Sequence, residues 1–400
     1  MTDQNPNSRS SPGQPPEAVA GHPPEVVVLR TGGPMSSRRI EPTSAVATLA
    51  PGTPEELVQR LVDRLRHAGV DASQLDLGDG VLMLPGVTAV GATRLLAGEP
   101  AVERVYIPDT RYRLVRREIF PGGTIVDVAG VKFGGPEFVV IAGPCAVESP
   151  EQVLAVAEGV ARAGAAVMRG GAFKPRTSPY DFQGLGRQGV EALVGARTAT
   201  GLPFITEVMR HDLVEEMAPL VDGFQVGARN MQNFDLLRAL AEAGRPVLLK
   251  RNPGATIEEW LLAAEYLLAG GNDQVILCER GIRTFSVDTR YTLDLASVAL
   301  AKRETHLPVI VDPSHATGDA SLIAPMAKAA LGAGADGVMV EVHYDPAVAL
   351  SDGFQALTPA ELTSLVADLA ALAPQLGRAL AGAPTPARAP ETAVPRAVSS

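Results

Sequence analysis

The chain has 400 residues, of which 46% are hydrophobic and only two are cysteine, and its formal net charge is -10 at pH 7. This length allows one large α/β barrel with an appendage or two to three ordinary domains. The acidic balance argues against general affinity for nucleic acid or acidic membranes, and the cysteine count excludes a disulfide framework. With no signal-peptide pattern and no membrane-spanning apolar run, a reducing, cytoplasmic location is the simplest expectation.

Both ends of the sequence have the composition of disordered tails. Residues 1–44 are rich in Pro, Ser, Gly and Arg and lack a sustained apolar period. Residues 376–400 alternate Ala and Pro with polar residues. Because neither segment can bury enough apolar surface to offset its ordering entropy, we predict disorder for both.

Residues 45–117 have the pattern of a small α+β domain. A strand near Val46–Leu49 precedes the helical stretch PEELVQRLVDRLRHAG, which begins with proline and ends at Gly69. The stretch GVLMLPG, a second helix and AVERVYIP complete the pattern. This order of short strands and helices is typical of a ferredoxin-like domain.

From Phe138 onward, short apolar runs alternate regularly with amphipathic helical stretches. The runs are FVVIAG, AAVMRGG, PFITEV, DGFQVGA, PVLLKR, QVILCERG, PVIVDPSH and DGVMVEVH. Continuously apolar strands belong to parallel sheets covered by helices, and eight βα repeats are the number that closes a barrel. We therefore predict an α/β protein with a (β/α)8 TIM barrel over residues 118–375.

The active site of such a barrel is built at the C-terminal ends of its strands, where this sequence is unusually polar. Six of the residues there are cations, namely Arg169, Lys174, Arg176, Arg229, Lys250 and Arg280. A single one of them could simply pair with a carboxylate at the rim. Six together would repel one another without anionic ligands, and the mixture of Arg and Lys predicts a substrate with both carboxylate and phosphate groups.

A second group of side chains could bind a divalent metal. Cys145, His315 and Glu341 follow predicted strands, and the segment HYDPAVALSDG offers either Asp345 or Asp352. A thiolate, an imidazole and two carboxylates have the mixed softness that suits Mn, Fe, Co or Zn. Taken alone, Cys145 is more often a small buried apolar residue and His315 a hydrogen-bonded loop histidine.

The sequence resembles the 3-deoxy-D-arabino-heptulosonate 7-phosphate (DAHP) synthases, in the class that has an N-terminal ferredoxin-like regulatory domain. The motifs that carry the resemblance are IAGPCAVES, MRGGAFKPRTSPYDFQGLG, QVGARNMQN, LLKR, ILCERG, DPSHATG and VEVH. The similarity extends from about Phe138 to about Pro374. It implies a transferase that condenses phosphoenolpyruvate (PEP) with erythrose 4-phosphate and releases phosphate, the first step of the shikimate pathway of aromatic amino acid biosynthesis.

The same resemblance implies a role for each site residue. The metal ligands would be Cys145, His315, Glu341 and Asp352. PEP would be held by Arg169, Lys174, Arg229, Lys250 and Arg280 and by the amide of Ala228. The motif Lys174-Pro175-Arg176-Thr177-Ser178 would serve both substrates, with Arg176, Thr177 and Ser178 on the phosphate of erythrose 4-phosphate. Lys174 and Glu207 are the candidates for proton transfer, and His315 joins them as a catalytic group.

Two other functions fit part of the pattern. A sister family makes a 3-deoxy-octulosonate phosphate from PEP and arabinose 5-phosphate, but it carries Lys-Ala-Asn-Arg where this chain has Lys174-Pro175-Arg176-Thr177. A non-catalytic sensor of an aromatic amino acid would not need the complete set of cations and ligands. The resemblance further implies feedback inhibition by tyrosine or phenylalanine and a homo-oligomer, since homotetramers are common in the family.

Overall fold

The computed structural model describes residues 45–50, 52–70, 73–75, 81–84, 87–106, 111–176 and 178–382. The predicted N-terminal tail, most of the predicted C-terminal tail and the site residue Thr177 lie outside the described residues. Within these ranges, no helix combines the length and the apolar character needed to cross a membrane.

The small N-terminal domain is an antiparallel sheet with two helices. Its elements are β1 (Ala45–Leu49), α1 (Glu55–His67), β2 (Ser73–Leu75), β3 (Val81–Leu84), α2 (Ala89–Leu95) and β4 (Val102–Tyr106). The strands are ordered β2-β3-β1-β4. Helix α1 buries Val58, Leu61, Val62 and Leu65, which lie three and four residues apart on one face. This order of elements and strands confirms the ferredoxin-like prediction.

The barrel has the eight predicted parallel strands. They are β7 (Glu137–Gly143), β8 (Val167–Arg169), β9 (Phe204–Glu207), β10 (Gly223–Val226), β11 (Val247–Lys250), β12 (Val275–Glu279), β13 (Val309–Val311) and β14 (Gly337–Glu341), preceded by a hairpin of β5 (Val126–Val128) and β6 (Val131–Phe133). The barrel closes between β14 and β7, where Gly337 lies opposite Val139 and Glu341 opposite Gly143. The predicted TIM barrel is thus confirmed.

Helices cover the outside of the barrel. They are α3 (Pro150–Ala163), α4 (Arg187–Thr200), α5 (Val214–Met217), α6 (Phe234–Ala243), α7 (Ile257–Ala269), α8 (Leu295–Glu304), α10 (Ala320–Gly332) and α11 (Pro359–Leu372). The short helix α9 (Pro313–Thr317) lies instead at the C-terminal end of β13. Helix α3 shows how local sequence sets these bounds. It begins after Ser149, whose hydroxyl accepts the Gln152 N–H at 3.1 Å, and it ends at Gly164, which has a φ of 91°.

The interior of the barrel is filled from the end opposite the predicted site. Val126, Val128 and Phe133 of the β5–β6 hairpin are buried in one apolar cluster with inward-facing strand residues such as Ile205 and Ile276. The buried Cys278 belongs to the same cluster. Because this end is closed by apolar packing, the polar residues at the C-terminal ends of the strands are left as the open end.

Segments on both sides of the predicted barrel range contact the barrel. Before it, Leu114 and Val115 join the main barrel core, and Glu265 of α7 accepts the backbone N–H groups of residues 113–115 at 2.8–3.1 Å. Contacts with the barrel therefore begin ahead of residue 117. After it, β15 (Ala379–Leu380) pairs with β7. The pairing satisfies backbone groups at Glu137 and Phe138, ahead of the β7 residues that pair with β14 and β8.

Candidate active site

The C-terminal ends of the strands surround a cavity of about 630 Å³. All six predicted cations line it, together with Arg283 and Arg290, whereas the lining has only three carboxylates, namely Asp181, Glu207 and Asp352. Four of the cations, Arg169, Lys174, Lys250 and Arg280, are buried. Such an excess of buried positive charge in an acidic protein makes the cavity a strong site for a polyanion.

Four potential ligand atoms converge at the base of this cavity. One atom each from Cys145, His315, Glu341 and Asp352 lies within 4.8 Å of all the others. The Cys145 thiol lies 3.3 Å from Asp352 Oδ2, and His315 Nε2 lies 3.2 Å from Glu341 Oε1. Asp345, the other carboxylate left open by the sequence, instead accepts the Ala347 N–H at 3.2 Å.

The charges of this cluster suit a divalent cation. Burial lowers the pKa of His315 to about 4, so its imidazole is neutral, and Asp312 accepts its Nδ1–H at 2.7 Å. That bond leaves the Nε2 lone pair facing the cluster. Burial, together with Glu341, raises the pKa of the Cys145 thiol to about 11. A thiolate beside two carboxylates therefore needs a further positive charge close by, which a bound metal would supply.

Arg169 and Lys174 approach the cluster from β8 and the loop after it. Arg169 Nη1 donates to Pro144 O at 2.7 Å and to Glu341 Oε1 at 3.1 Å, while its buried Nε has no hydrogen-bond partner among the described residues. Lys174 Nζ lies 3.0 Å from Cys145 O and 3.1 Å from the thiol. These cations are thus shared between the ligand cluster and the cavity above it.

Glu207, at the end of β9, is a buried acid with an unused oxygen. Its Oε2 accepts from Gln225 Nε2 at 3.3 Å, whereas Oε1 is buried without a partner in the described part of the chain. The bare backbone of Gly227 leaves room for that carboxylate, since a Cβ there would lie 2.9 Å from Glu207 Cδ and overlap Oε1. A buried acceptor without a partner is costly unless a ligand or water completes it.

The motif after β8 is only partly assembled around the cavity. Pro175 and Arg176 line it, and Arg176 donates to Phe182 O at 2.9 Å and to Ser351 Oγ. Ala228 and Arg229 also line the cavity, and Arg229 Nη1 donates to Pro175 O at 2.9 Å. Ser178 is not among the lining residues, and its hydroxyl accepts the Tyr180 N–H at 3.2 Å.

Several residues of the site were missed by the sequence interpretation. Arg283, Arg290 and Tyr291 line the cavity from the loop after β12, and the Arg280 guanidinium lies 4.6 Å from the centroid of the Tyr291 ring. The sequence signal was the run RGIRTFSVDTRY, which has three arginines. Only the first of these directly follows the strand, so a search limited to strand ends overlooks the other two.

Residues 123–375 match the family described as the DAHP synthetase I family. The chain is 47% identical over 277 residues to the phospho-2-dehydro-3-deoxyheptonate aldolase of Thermotoga maritima, covering 69% of this chain and 81% of that protein. It is 33% identical over 234 residues to a 2-dehydro-3-deoxyphosphooctonate aldolase of Acidithiobacillus ferrooxidans, covering 54% of this chain and 82% of that protein.

Two solved structures are similar to this fold. A crystal structure of the Thermotoga maritima DAHP synthase has a TM-score of 0.67 and 40% identity, and the match covers 85% of this chain and all of that one. A truncated form of the same organism's enzyme has a TM-score of 0.63 and 43% identity, and the match covers 67% of this chain and 98% of that one.

Proposed function

The chain belongs to the DAHP synthetase I family of transferases, and from that premise we propose that it condenses PEP with erythrose 4-phosphate to give DAHP and inorganic phosphate. The observation that carries the proposal is the convergence of six cations and a Cys-His-Glu-Asp cluster on one cavity. PEP offers a carboxylate and a phosphate, and erythrose 4-phosphate a second phosphate and an aldehyde. One cavity with this charge and these ligands suits both substrates.

Five cations would hold PEP, namely Arg169, Lys174, Arg229, Lys250 and Arg280, with the amide of Ala228 as a further donor. Most of them are buried, so their interaction with a dianion or trianion is little screened by solvent. Arg280 is kept in place by the Tyr291 ring, and Lys250 by its ion pair with Asp312. Such preformed contacts reduce the entropy lost when PEP is positioned against a second substrate.

Cys145, His315, Glu341 and Asp352 would hold a divalent metal, in keeping with a family that is generally metal-dependent. When bound, the metal would supply Lewis-acid polarisation of the aldehyde oxygen. The neutral imidazole of His315 and the carboxylates can coordinate without first losing a proton, while Cys145 would give up its thiol proton on binding. Metal affinity should therefore rise with pH.

C3 of PEP would bond to the aldehyde carbon of erythrose 4-phosphate, so that the aldehyde oxygen takes a proton and C2 becomes open to attack by water. Lys174 and Glu207 would handle the protons around that water. Both side chains are buried and line the cavity, and the free Glu207 Oε1 is an acceptor that could orient this water. The resulting phosphohemiketal expels phosphate, and the ring of cations would stabilise the charge that develops on it. Glu207 takes the water proton, and Lys174 can return a proton to the departing oxygen.

The four-carbon sugar is favoured over arabinose 5-phosphate by two observations. Identity is higher to the heptonate enzyme than to the octonate enzyme, 47% against 33%. In the motif after β8, the arginine of this chain is Arg176, whereas the octonate family has asparagine there and its arginine one position later, so the cation for the sugar phosphate is placed differently. Arg176 and, by the resemblance, Thr177 and Ser178 would bind that phosphate.

Phosphate release from PEP by metal-stripped protein tests the proposal. Mn²⁺ would be added or withheld, with erythrose 4-phosphate or arabinose 5-phosphate offered in parallel and Cys145→Ser as the matched variant. We expect metal-dependent release with the four-carbon sugar alone. In the variant, the increase in release on adding Mn²⁺ should be at least tenfold smaller. Release with the five-carbon sugar would assign the octonate reaction, and release with neither would leave a non-catalytic sensor.

A further inference from the structure

The loop between β12 and α8 forms a hairpin beside the cavity, which we call the rim hairpin and define as residues 282–292. At its base, Ile282 and Thr292 exchange both backbone hydrogen bonds, at 2.9 and 3.0 Å. The hydroxyls of Thr284 and Thr292 are 2.6 Å apart. Two arginines of the rim hairpin, Arg283 and Arg290, line the cavity. The hydrogen bonds at the base of the rim hairpin thus fix the backbone from which these two arginines extend.

The rim hairpin is attached to the helix that carries His315. The backbone N–H of Arg290 donates to Thr317 O at 2.9 Å, and that of Tyr291 donates to Ala316 O at 2.7 Å. These carbonyls belong to α9, one and two residues after His315. The backbone position of Arg290 is therefore tied to that of a proposed metal ligand.

The Arg290 side chain reaches two further proposed ligands. Its Nη1 donates to Gln355 Oε1 at 2.9 Å, and Gln355 Nε2 donates to Glu341 Oε2 at 2.6 Å. The same Nη1 lies 3.7 Å from Asp352 Oδ1. Gln355 and Glu341 are fully buried, so water cannot easily replace the bond between them. One guanidinium thus contacts Asp352 directly and Glu341 through one amide.

The chemistry of the amide makes this arrangement directional. A guanidinium has only hydrogen-bond donors, so Arg290 requires the carbonyl oxygen of Gln355 to face it. The Gln355 NH2 group must then face Glu341, where it supports the carboxylate. Without Arg290, the buried Gln355 oxygen would lose this donor, and the bond to Glu341 alone would orient the amide. Asp352 also needs support, because it has a φ of 54°, which is uncommon for a residue other than glycine.

We propose that Arg290 is a positioning residue that orders Glu341 and Asp352 for metal binding, an inference that rests on the metal site of the proposed function. Outer contacts of this kind typically change metal affinity by about 10- to 100-fold. The charge of Arg290 has the opposite effect, because a cation near the cluster repels a metal ion. If Arg290 acts by positioning, its removal should weaken metal binding. If it acts only through its charge, its removal should tighten metal binding.

Arg283 provides a matched control on the same hairpin. It lines the same cavity, but its side chain has no ion pair or hydrogen bond with the residues that the structure describes. Arg283→Gln removes one positive charge from the cavity without disturbing Gln355 or Asp352. Arg290→Lys retains the charge but cannot reproduce the planar donor group, and Arg290→Gln removes both.

The experiment is a calorimetric titration of each metal-stripped, full-length protein with Mn²⁺ alone, with Co²⁺ absorption as a second readout of ligand geometry. We expect Arg290→Lys and Arg290→Gln to bind Mn²⁺ at least tenfold more weakly than the unmodified protein, with an altered Co²⁺ spectrum. Arg283→Gln should bind within about threefold. Thermal melting in the absence of metal checks that each variant is folded.

Two results would overturn the inference while leaving the proposed function intact. In one, Arg290→Lys binds Mn²⁺ like the unmodified protein; in the other, Arg290→Gln binds it more tightly, which would show that Arg290 acts only through its charge. If the unmodified protein binds Mn²⁺ no better than Cys145→Ser, the metal site itself fails, and the inference fails with it.

Discussion

Gly227→Ala tests the role of Glu207 without altering any ionisable group. Gly227 has a φ of -64° and a ψ of 153°, which alanine adopts without strain, so the substitution acts through the added methyl group alone. That Cβ would lie 2.9 Å from Glu207 Cδ and overlap Oε1, well inside the roughly 3.5–4.0 Å optimum for carbon contacts. The buried carboxylate must therefore move by about 1 Å.

The size of the effect follows from that displacement. A misplacement of about 1 Å in a catalytic group can cost about 100-fold in rate, equivalent to roughly 2.7 kcal/mol in the activation free energy. We expect Gly227→Ala to lower kcat by about this factor while leaving the KM for PEP within about threefold. Steady-state phosphate release measures both constants. Gly195→Ala is the control, because a Cβ at Gly195 in α4 has no neighbour within 4 Å.

A double-mutant cycle would show whether the effect passes through Glu207. In a Glu207→Ala background the overlap is absent, so adding Gly227→Ala should cost little further activity. Full additivity of the two losses would refute the reasoning. A rise in the KM for PEP with kcat unchanged would also refute it, by pointing to the neighbouring amide of Ala228 instead of Glu207.

Two further predictions concern stability and domain structure. Burial lowers the pKa of His306 to about 4 from 6.5, so the unfolded chain binds a proton at this residue more readily than the folded one. The contribution of the neutral imidazole to the free energy of unfolding is therefore complete above about pH 6.5. It is lost as the pH falls towards 4, by roughly 1.4 kcal/mol per pH unit. His306→Gln should make the free energy of unfolding less dependent on pH in this range, measured by urea unfolding followed by Trp260 fluorescence. An unchanged slope of the free energy of unfolding against pH would contradict this prediction. Deletion of residues 1–110 should preserve turnover and abolish any inhibition by aromatic amino acids, whereas deletion of residues 1–116 should also lower Tm, because Glu265 loses its backbone donors. Equal Tm values would contradict the second part.

The sequence alone determined the barrel and most of the cationic site. Apolar runs separated by amphipathic helices predict parallel strands, and in such a barrel the ends of the strands meet at one face. This rule is enough to bring Arg169, Lys250 and Arg280 together from residues far apart in the chain. It requires no knowledge of how any side chain is oriented, which is why it succeeded.

Side-chain contacts within long loops were decided only by the tertiary structure. Arg290 contacts Gln355, and Gln355 contacts Glu341, but neither Arg290 nor Gln355 directly follows a strand, and no sequence period relates them. Ser178 likewise accepts a hydrogen bond from its own loop and is not among the residues that line the cavity. Loop conformation depends on turns, buried hydrogen bonds and packing against neighbouring elements, and these contacts between distant residues exist only once the barrel has formed.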